Sequence, residues 1–119
     1  MVSTSDIPDW CWVETFGLDG FNHSRFGSAS PEELKAFYDV SPIKHIDGVR
    51  CPTMVHLGLV DRRVPQSQGV EWIRALRARG IRVEARRFSK DAHGIEKPLS
   101  AEVQWADTVD FLRTELGLE

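Results

Sequence analysis

Several features that would assign this chain to a particular environment are scarce or missing. Its 119 residues contain two cysteines, Cys11 and Cys51, without paired spacing, which favours two free, mostly buried thiols in a reducing compartment. No apolar run approaches the ~18 residues that a membrane span requires. The N-terminal segment has neither a basic start nor a long apolar run, unlike a signal peptide. We therefore expect a cytoplasmic protein with no membrane partner.

Patterns typical of metal and cofactor sites are also missing. The histidines, which are His23, His45, His56 and His93, are scattered, and no C-x-x-C or H-x-x-x-H spacing occurs. His56 lies within an apolar stretch, where a packed core histidine is the simpler interpretation. We predict neither a bound metal nor a cofactor.

Positive charge is concentrated in one part of the chain. The formal net charge is −3, but residues 62–97 contain ten lysines and arginines against four acids. Such a concentration of positive charge could bind nucleic acid or phosphate, yet no recognised binding motif or aromatic platform accompanies it. Long arginine stems commonly cover helix and strand edges beside acidic neighbours, so we predict no nucleic-acid partner. The basic arc consists of Arg74, Arg77, Arg79, Arg82, Arg86 and Arg87.

The composition, 41% hydrophobic and 28% charged, is typical of one ordinary soluble domain. We expect residues 1–52 to form an irregular or helical lead-in. Aromatic residues without a period predict a packed loop over residues 1–29. Ser30, Pro31 and Glu33 together predict a helix start, with a cap, a first-turn proline and a capping box. The stretch that follows this helix is punctuated by proline and glycine and is expected to be a connection.

Residues 53–119 have the periodicity of a strand, a helix, a second strand and a second helix. A short apolar run at 53–60 and an alternating stretch at 81–88 predict the strands. Helices are predicted from about 66 to 79 and from about 100 to 116. Short connections of this kind indicate a parallel α/β sheet, which two strands alone leave incomplete. The predicted inward residues are Val70, Ile73 and Leu76 in the first helix, and Val103, Ala106, Val109, Leu112 and Leu116 in the second.

Two residues with catalytic potential follow these strands. Asp61 comes directly after the first strand, and His93 follows the second in "DAHGIEK". Functional groups in parallel α/β sheets gather past the carboxyl ends of the strands, so the two loops should lie side by side. There a carboxylate can accept a hydrogen bond from one imidazole nitrogen and leave the other as a base. We therefore predict that Asp61 and His93 lie within hydrogen-bonding reach.

Each of these residues also has a simpler interpretation. Asp61 could cap the following helix or pair with Arg62, and His93 could be an exposed loop histidine. A nucleophile in the G-x-S-x-G frame is missing, because no serine or cysteine has glycine both two positions before and two positions after it. The sequence thus offers the acid and the base of a catalytic triad without its nucleophile.

A family likeness is visible in four segments, "SDIPDWC", "SPIKHID", "CPTMVHLGLVDRRVPQSQGVEWIRALRARGI" and "DAHGIEKP". Together they resemble the C-terminal half of the catalytic domain of acylaminoacyl-peptidases, also called acyl-peptide hydrolases. These enzymes belong to the prolyl oligopeptidase family of serine peptidases. The likeness runs from about residue 5 to the end of the chain and is weakest over residues 16–30.

The resemblance implies an α/β-hydrolase fold, of which this chain would be an incomplete C-terminal portion. It implies that Asp61 matches the triad acid and His93 the triad base of a cytoplasmic peptidase. The whole enzyme would release an acylamino acid from an N-acylated peptide, with a β-propeller before its catalytic domain. Because the nucleophilic serine would come from elsewhere, we expect this chain alone to be inactive.

A non-catalytic interaction module derived from the same fold is the alternative hypothesis. A strand without neighbours exposes an edge and an apolar face, which could support self-association or docking on the missing N-terminal half. An in-frame G-x-S-x-G upstream of Met1 would favour the enzyme, whereas a genuine start at Met1 would favour the module.

Overall fold

The computed structural model describes residues 31–118, and the strand–helix–strand–helix order predicted for the second half of the chain is present. The segment predicted as a connection contains a 3-10 helix. In chain order the elements are helix α1 (Pro31–Asp39), the 3-10 helix (Pro42–Gly48), strand β1 (Thr53–Gly58), helix α2 (Gln66–Ala78), strand β2 (Val83–Phe88) and helix α3 (Pro98–Leu116).

The two strands form a parallel sheet. Its register pairs Thr53 with Val83 at one end and Gly58 with Phe88 at the other. The Leu59 N–H donates to the Phe88 carbonyl at 3.0 Å and continues the ladder past the end of β1. Parallel pairing sets the carboxyl ends of both strands at one edge of the sheet. The loops that contain the two predicted site residues begin at this edge.

Helix α2 follows the sequence prediction closely. It buries the face that contains Ile73 and Leu76. It is followed by Gly80, whose φ of 74° is a left-handed conformation that glycine adopts at little cost. The N–H of Gly80 donates to the Arg77 carbonyl and that of Ile81 to the Leu76 carbonyl, at 3.0 and 3.1 Å. This pair of bonds is the Schellman pattern that ends many helices.

One apolar core lies between α2, the strands and the 3-10 helix. Leu76 is fully buried at its centre, and the 3-10 helix contributes Ile46, which is 4% exposed. Successive strand residues face opposite sides of a sheet, so Arg86 faces away from the core residue Val83. Helix α3 lies on that second face of the sheet. The buried core members are Ile46, Leu57, Ile73, Leu76 and Val83.

Helix α3 packs on the strands with a different face from the predicted one. Phe111 is buried, although it was not among the predicted inward residues. Val103 and Val109 are half-buried. The prediction is wrong for three residues that are exposed, namely Ala106, Leu112 and Leu116.

The face of α3 that is turned towards the sheet contains two ion pairs beside the buried Phe111. The Arg86 guanidinium binds both carboxylate oxygens of Asp107, at 2.5 and 2.7 Å. Arg82, just before β2, lies 2.5 Å from the carboxylate of Glu115. Asp107, Phe111 and Glu115 follow one another at intervals of four residues and therefore share one face of the helix. Both ion pairs and the burial of Phe111 favour this face over the one that contains Leu112 and Leu116.

Other sequence predictions have mixed outcomes. The packed loop over residues 1–29, with Cys11, and the helix cap at Ser30 lie outside the described residues. Cys51 is exposed instead of buried, because it lies in the loop before β1. No helix within residues 31–118 is long and apolar enough to cross a membrane.

Candidate active site

Asp61 lies in the tight loop between β1 and α2. Its Oδ1 accepts hydrogen bonds from the backbone N–H groups of Arg63 and Val64, at 2.8 and 2.9 Å. These bonds fix the direction of the carboxylate and leave Oδ2 available for another donor. The side chain is 7% exposed. Asp61 therefore orders its own loop through one carboxylate oxygen, and it does not cap α2, whose N-terminus has no side-chain cap hydrogen bond.

His93 lies in the loop between β2 and α3 and reaches Asp61. Its Nδ1 is 3.1 Å from Asp61 Oδ2, so the predicted contact is present. A carboxylate can only accept, so Nδ1 is the donor and Nε2 of the neutral ring retains its lone pair. The imidazole is 37% exposed, which leaves the ring accessible from outside. An oriented, accessible imidazole of this kind can take a proton from a reacting group.

A close approach of two loops brings the pair together. The Val60 N–H donates to the carbonyl of Asp91 at 3.1 Å. A Cβ added at Gly58 would lie 2.8 Å from that carbonyl oxygen and closer still to the carbonyl oxygen of Ala92. A residue without a side chain is therefore required where the loop that contains His93 crosses the end of β1.

Asp91 is a buried acid near this site that the sequence analysis did not single out. Its side chain accepts a hydrogen bond at Oδ2 from Ser100 Oγ, at 2.7 Å, and Oδ1 lies 3.4 Å from the N–H of Lys97. Both donors belong to the start of α3. The available sequence signal was weak, since an acid two positions before His93 resembles any other polar loop residue.

His56 does not belong to the pair. It lies opposite Arg86 in the sheet register, and its ring meets that of Phe88 edge-on, with 5.8 Å between centroids. Its Nε2 is buried without a hydrogen-bond partner. Burial lowers the pKa of His56 below its usual value, an effect that Asp107 opposes and Arg86 reinforces. Across residues 31–118, no group of three His, Cys, Asp or Glu side chains could hold a metal ion.

Most of the basic arc has intramolecular partners. Arg79 pairs with Asp47 at 2.5 Å, and Arg77 donates to the carbonyl of Val83 at 3.1 Å. Arg82 and Arg86, which form ion pairs with α3, belong to the same arc. These contacts give the positive charge a structural role at the edges of α2 and β2.

Comparison with known proteins identifies relatives of this chain. Residues 2–119 match the prolyl oligopeptidase family. Acylamino-acid-releasing enzyme 2 of Oryza sativa subsp. japonica is 44% identical over 100 residues, which cover 84% of this chain. The acylamino-acid-releasing enzyme of Mus musculus is 39% identical over 117 residues, which cover 98%. The chain spans 13% and 15% of the lengths of these two relatives.

Solved structures show the same fold. An acylaminoacyl peptidase of Pyrococcus horikoshii superimposes with a TM-score of 0.72 at 22% identity, over 90% of this chain and 18% of its own. An esterase of Thermogutta terrifontis gives a TM-score of 0.53 at 19% identity, over 88% of this chain and 40% of its own. At these identities the likeness shows the fold alone. It confirms the predicted α/β-hydrolase class, of which the described strands and helices form a part.

Proposed function

Because the chain belongs to the prolyl oligopeptidase family, we propose that it forms part of the catalytic domain of a serine peptidase. The whole enzyme hydrolyses N-acylated peptides and releases the acylamino acid in this proposal. The observation that carries it is the 3.1 Å contact between Asp61 and His93. The substrate class is supported by the names of the relatives, acylamino-acid-releasing enzymes that are between 36% and 44% identical to this chain.

The proposed roles of the pair follow from acid–base chemistry. Nε2 of His93 takes the proton of a serine Oγ as that oxygen attacks the peptide carbonyl carbon. The imidazolium then gives this proton to the leaving amine, and the C–N bond breaks to leave an acyl-enzyme. Water hydrolyses the ester by the same relay and returns a proton to the serine. Throughout, Asp61 Oδ2 holds Nδ1–H and stabilises the positive ring.

The nucleophile comes from outside these 119 residues in this proposal, since no serine here lies in a G-x-S-x-G frame. We assign residues 53–119 to the βαβα unit that supplies the acid and the base, and residues 1–52 to its lead-in. The chain alone is expected to be inactive. An acylaminoacyl peptidase of this fold has been solved in complex with Z-Gly-Gly-Phe-chloromethyl ketone, which supports a peptide substrate. A cytoplasmic location remains part of the proposal.

A difference between the two sheet edges supports docking on further strands. Within residues 31–118, no strand pairs with the outer edge of β1. All residues of β1 are buried or half-buried, whereas Ala85, Arg86 and Arg87 of β2 are exposed. Charged residues on an edge strand discourage further pairing. We therefore infer that β1 is an interior strand of a larger sheet and that β2 lies at its edge.

The alternative function, a non-catalytic interaction module, is favoured by one feature of α3. Trp105, Leu112 and Leu116 are 72%, 47% and 65% exposed, and their spacings of seven and four residues place them on one side of the helix. An exposed apolar strip of this kind is typical of a contact surface. Concentration-dependent self-association in a chain that never supports catalysis would favour the module.

Labelling with a serine-directed fluorophosphonate separates the two functions. The chain is mixed with the rest of the catalytic domain of the Oryza sativa relative, prepared without the segment that this chain matches. We expect labelling in the mixture and none in this chain alone. His93→Ala should abolish labelling, whereas His45→Ala, which changes an exposed histidine of the 3-10 helix, is the matched control. Labelling of this chain by itself, or none in a mixture whose parts associate, would contradict the proposal.

A further inference from the structure

The loop that contains His93 is anchored by a buried carboxylate outside the acid–base pair. Asp91 is 3% exposed and lies two residues before His93. We propose that Asp91 is a positioning residue, whose carboxylate ties this loop to the first turn of α3 and so keeps His93 Nδ1 against Asp61. The inference rests on the proposed function, because it concerns the geometry of the pair to which that function assigns catalysis.

The side-chain contacts of Asp91 show what the carboxylate joins. A buried carboxylate loses its hydration, so it is stable only where protein donors replace water. Ser100 Oγ supplies one bond at 2.7 Å, and the Lys97 N–H lies 3.4 Å from the other oxygen. Helix α3 has no side-chain cap at Lys97 and no acid in its first turn. Asp91 therefore places a carboxylate at the positive end of this helix, where it stabilises the helix start.

The backbone of Asp91 completes the link to the other half of the pair. Its carbonyl accepts from the N–H of Val60, the neighbour of Asp61, at 3.1 Å. Its own N–H donates to the Phe88 carbonyl at the end of β2, at 3.3 Å. Asp91 thus joins the end of β2, the loop of Asp61 and the start of α3. If the carboxylate loses its partners on α3, the loop keeps these backbone bonds but loses its tie to the helix.

The test follows the ring nitrogens of His93 by ¹⁵N NMR in the full chain. When Nδ1 donates to Asp61, the Nδ1–H tautomer dominates and its proton is protected from exchange with water. Asp91→Ala should speed exchange of this proton by about tenfold or more, the effect of losing a hydrogen bond to a charged group. Ser100→Ala should act in the same direction. Asp91→Asn should have a smaller effect, because the amide oxygen can still accept from Ser100.

A matched control and a fold measurement accompany these variants. Asp110→Asn changes an exposed acid of α3 and should leave the His93 proton as in the wild type. Amide exchange in α2 reports whether each variant is folded. Wild-type exchange of the His93 proton in folded Asp91→Ala overturns the proposal. If Asp91→Ala does not fold, wild-type exchange in both Ser100→Ala and Asp91→Asn overturns it instead.

The outcome is independent of catalysis. The NMR measurement needs neither a nucleophile nor a substrate. A mixture that associates but resists fluorophosphonate, while the His93 proton responds to Asp91→Ala as expected, would count against the proposed function and support the positioning role. Labelling in the mixture, together with wild-type exchange of the His93 proton in folded Asp91→Ala, would count against the positioning role alone.

Discussion

Gly58, the last residue of β1, lies directly against the carbonyl oxygen of Ala92, in the loop that contains His93. A Cβ at Gly58 would overlap this oxygen and would lie 2.8 Å from the carbonyl oxygen of Asp91. Both are backbone atoms, which cannot move without displacing the loop. The distance between the two loops at this edge of the sheet therefore depends on the absence of a side chain at position 58.

Gly58→Ala tests this relationship. We expect it to lower the free energy of unfolding by about 1–3 kcal/mol, as other overpacking substitutions do. Urea unfolding measures the change. Gly48→Ala is the matched control, because a Cβ at Gly48 meets nothing within 4 Å and its stability should stay near that of the wild type. Equal stability of the two variants would mean that the loops do not meet as closely as described.

His56 should make the stability of the chain depend on pH. Burial disfavours its charged form, so the folded-state pKa lies below the ordinary value of 6.5. Below that ordinary value the unfolded chain binds more protons than the folded one at this site. The contribution of His56 to stability is therefore fully present above about pH 6.5 and decreases as the pH falls through the acid range.

Urea unfolding measures the stability of the wild type and of His56→Leu between pH 7.5 and 5.5, in steps of about half a pH unit. His56→Leu removes both the ionisable ring and its unpaired buried Nε2, so its stability should fall less on acidification. His45→Leu changes an exposed histidine and should keep the wild-type slope. Parallel pH profiles for wild type and His56→Leu would rule out this assignment.

The rotation of α3 can be checked with two truncations on the same helix. Phe111→Ala should destabilise the chain by about 3–5 kcal/mol, because Phe111 is 9% exposed and its loss leaves a cavity. Leu116→Ala should have little effect, since Leu116 is 65% exposed. Thermal or urea unfolding of both variants measures the two losses of stability. A larger loss in Leu116→Ala would restore the face predicted from the sequence.

The same helix shows where sequence reasoning succeeds and where it fails. Its end at Gly117 follows from a local signal, and it begins at Pro98, two residues before the predicted start. The buried face does not follow from such a signal, since α3 has apolar residues on two sides, Phe111 on one and Leu112 and Leu116 on the other. The choice between them depends on contacts with the sheet, where Asp107 and Glu115 of α3 meet Arg86 and Arg82. Periodicity contains no such information.

The residues of the candidate site also differ in how far the sequence could predict their positions. Asp61 and His93 could be placed together because two parallel strands always bring their following loops to one edge. Asp91 could not be distinguished from a solvated loop acid, because its burial depends on Ser100 and on the loop that crosses Gly58. Cys51 was expected to be buried by residue type, but its position before β1 leaves it exposed.

The proposed role of Asp61 predicts a rate effect. In the mixture with the rest of the catalytic domain, Asp61→Asn should slow fluorophosphonate labelling by about three to four orders of magnitude, because the amide no longer favours the Nδ1–H tautomer of His93. The measurement is the rate of labelling at fixed probe concentration. Asp110→Asn, a change at an exposed acid, should label at the wild-type rate. A rate for Asp61→Asn close to that of Asp110→Asn would remove Asp61 from the proposed relay.

The two edges of the sheet should respond differently when the rest of the domain is added. Thr53 and Leu59 donate their N–H groups to the β2 side, so the N–H groups of Met54 and His56 point to the other edge of β1. If β1 is an interior strand, amide exchange at Met54 and His56 should slow by about tenfold or more on mixing, because each gains a ladder hydrogen bond.

Ala85 is the matched position on the opposite edge, because strand alternation points its N–H away from β1. Its exchange should stay unchanged if β2 lies at the edge of the complete sheet. Protection of Ala85 in place of Met54 would reverse the proposed order of strands. Binding that protects neither edge, while the exposed side chains around Trp105 become covered, would instead place the contact on α3, where the interaction-module alternative predicts it.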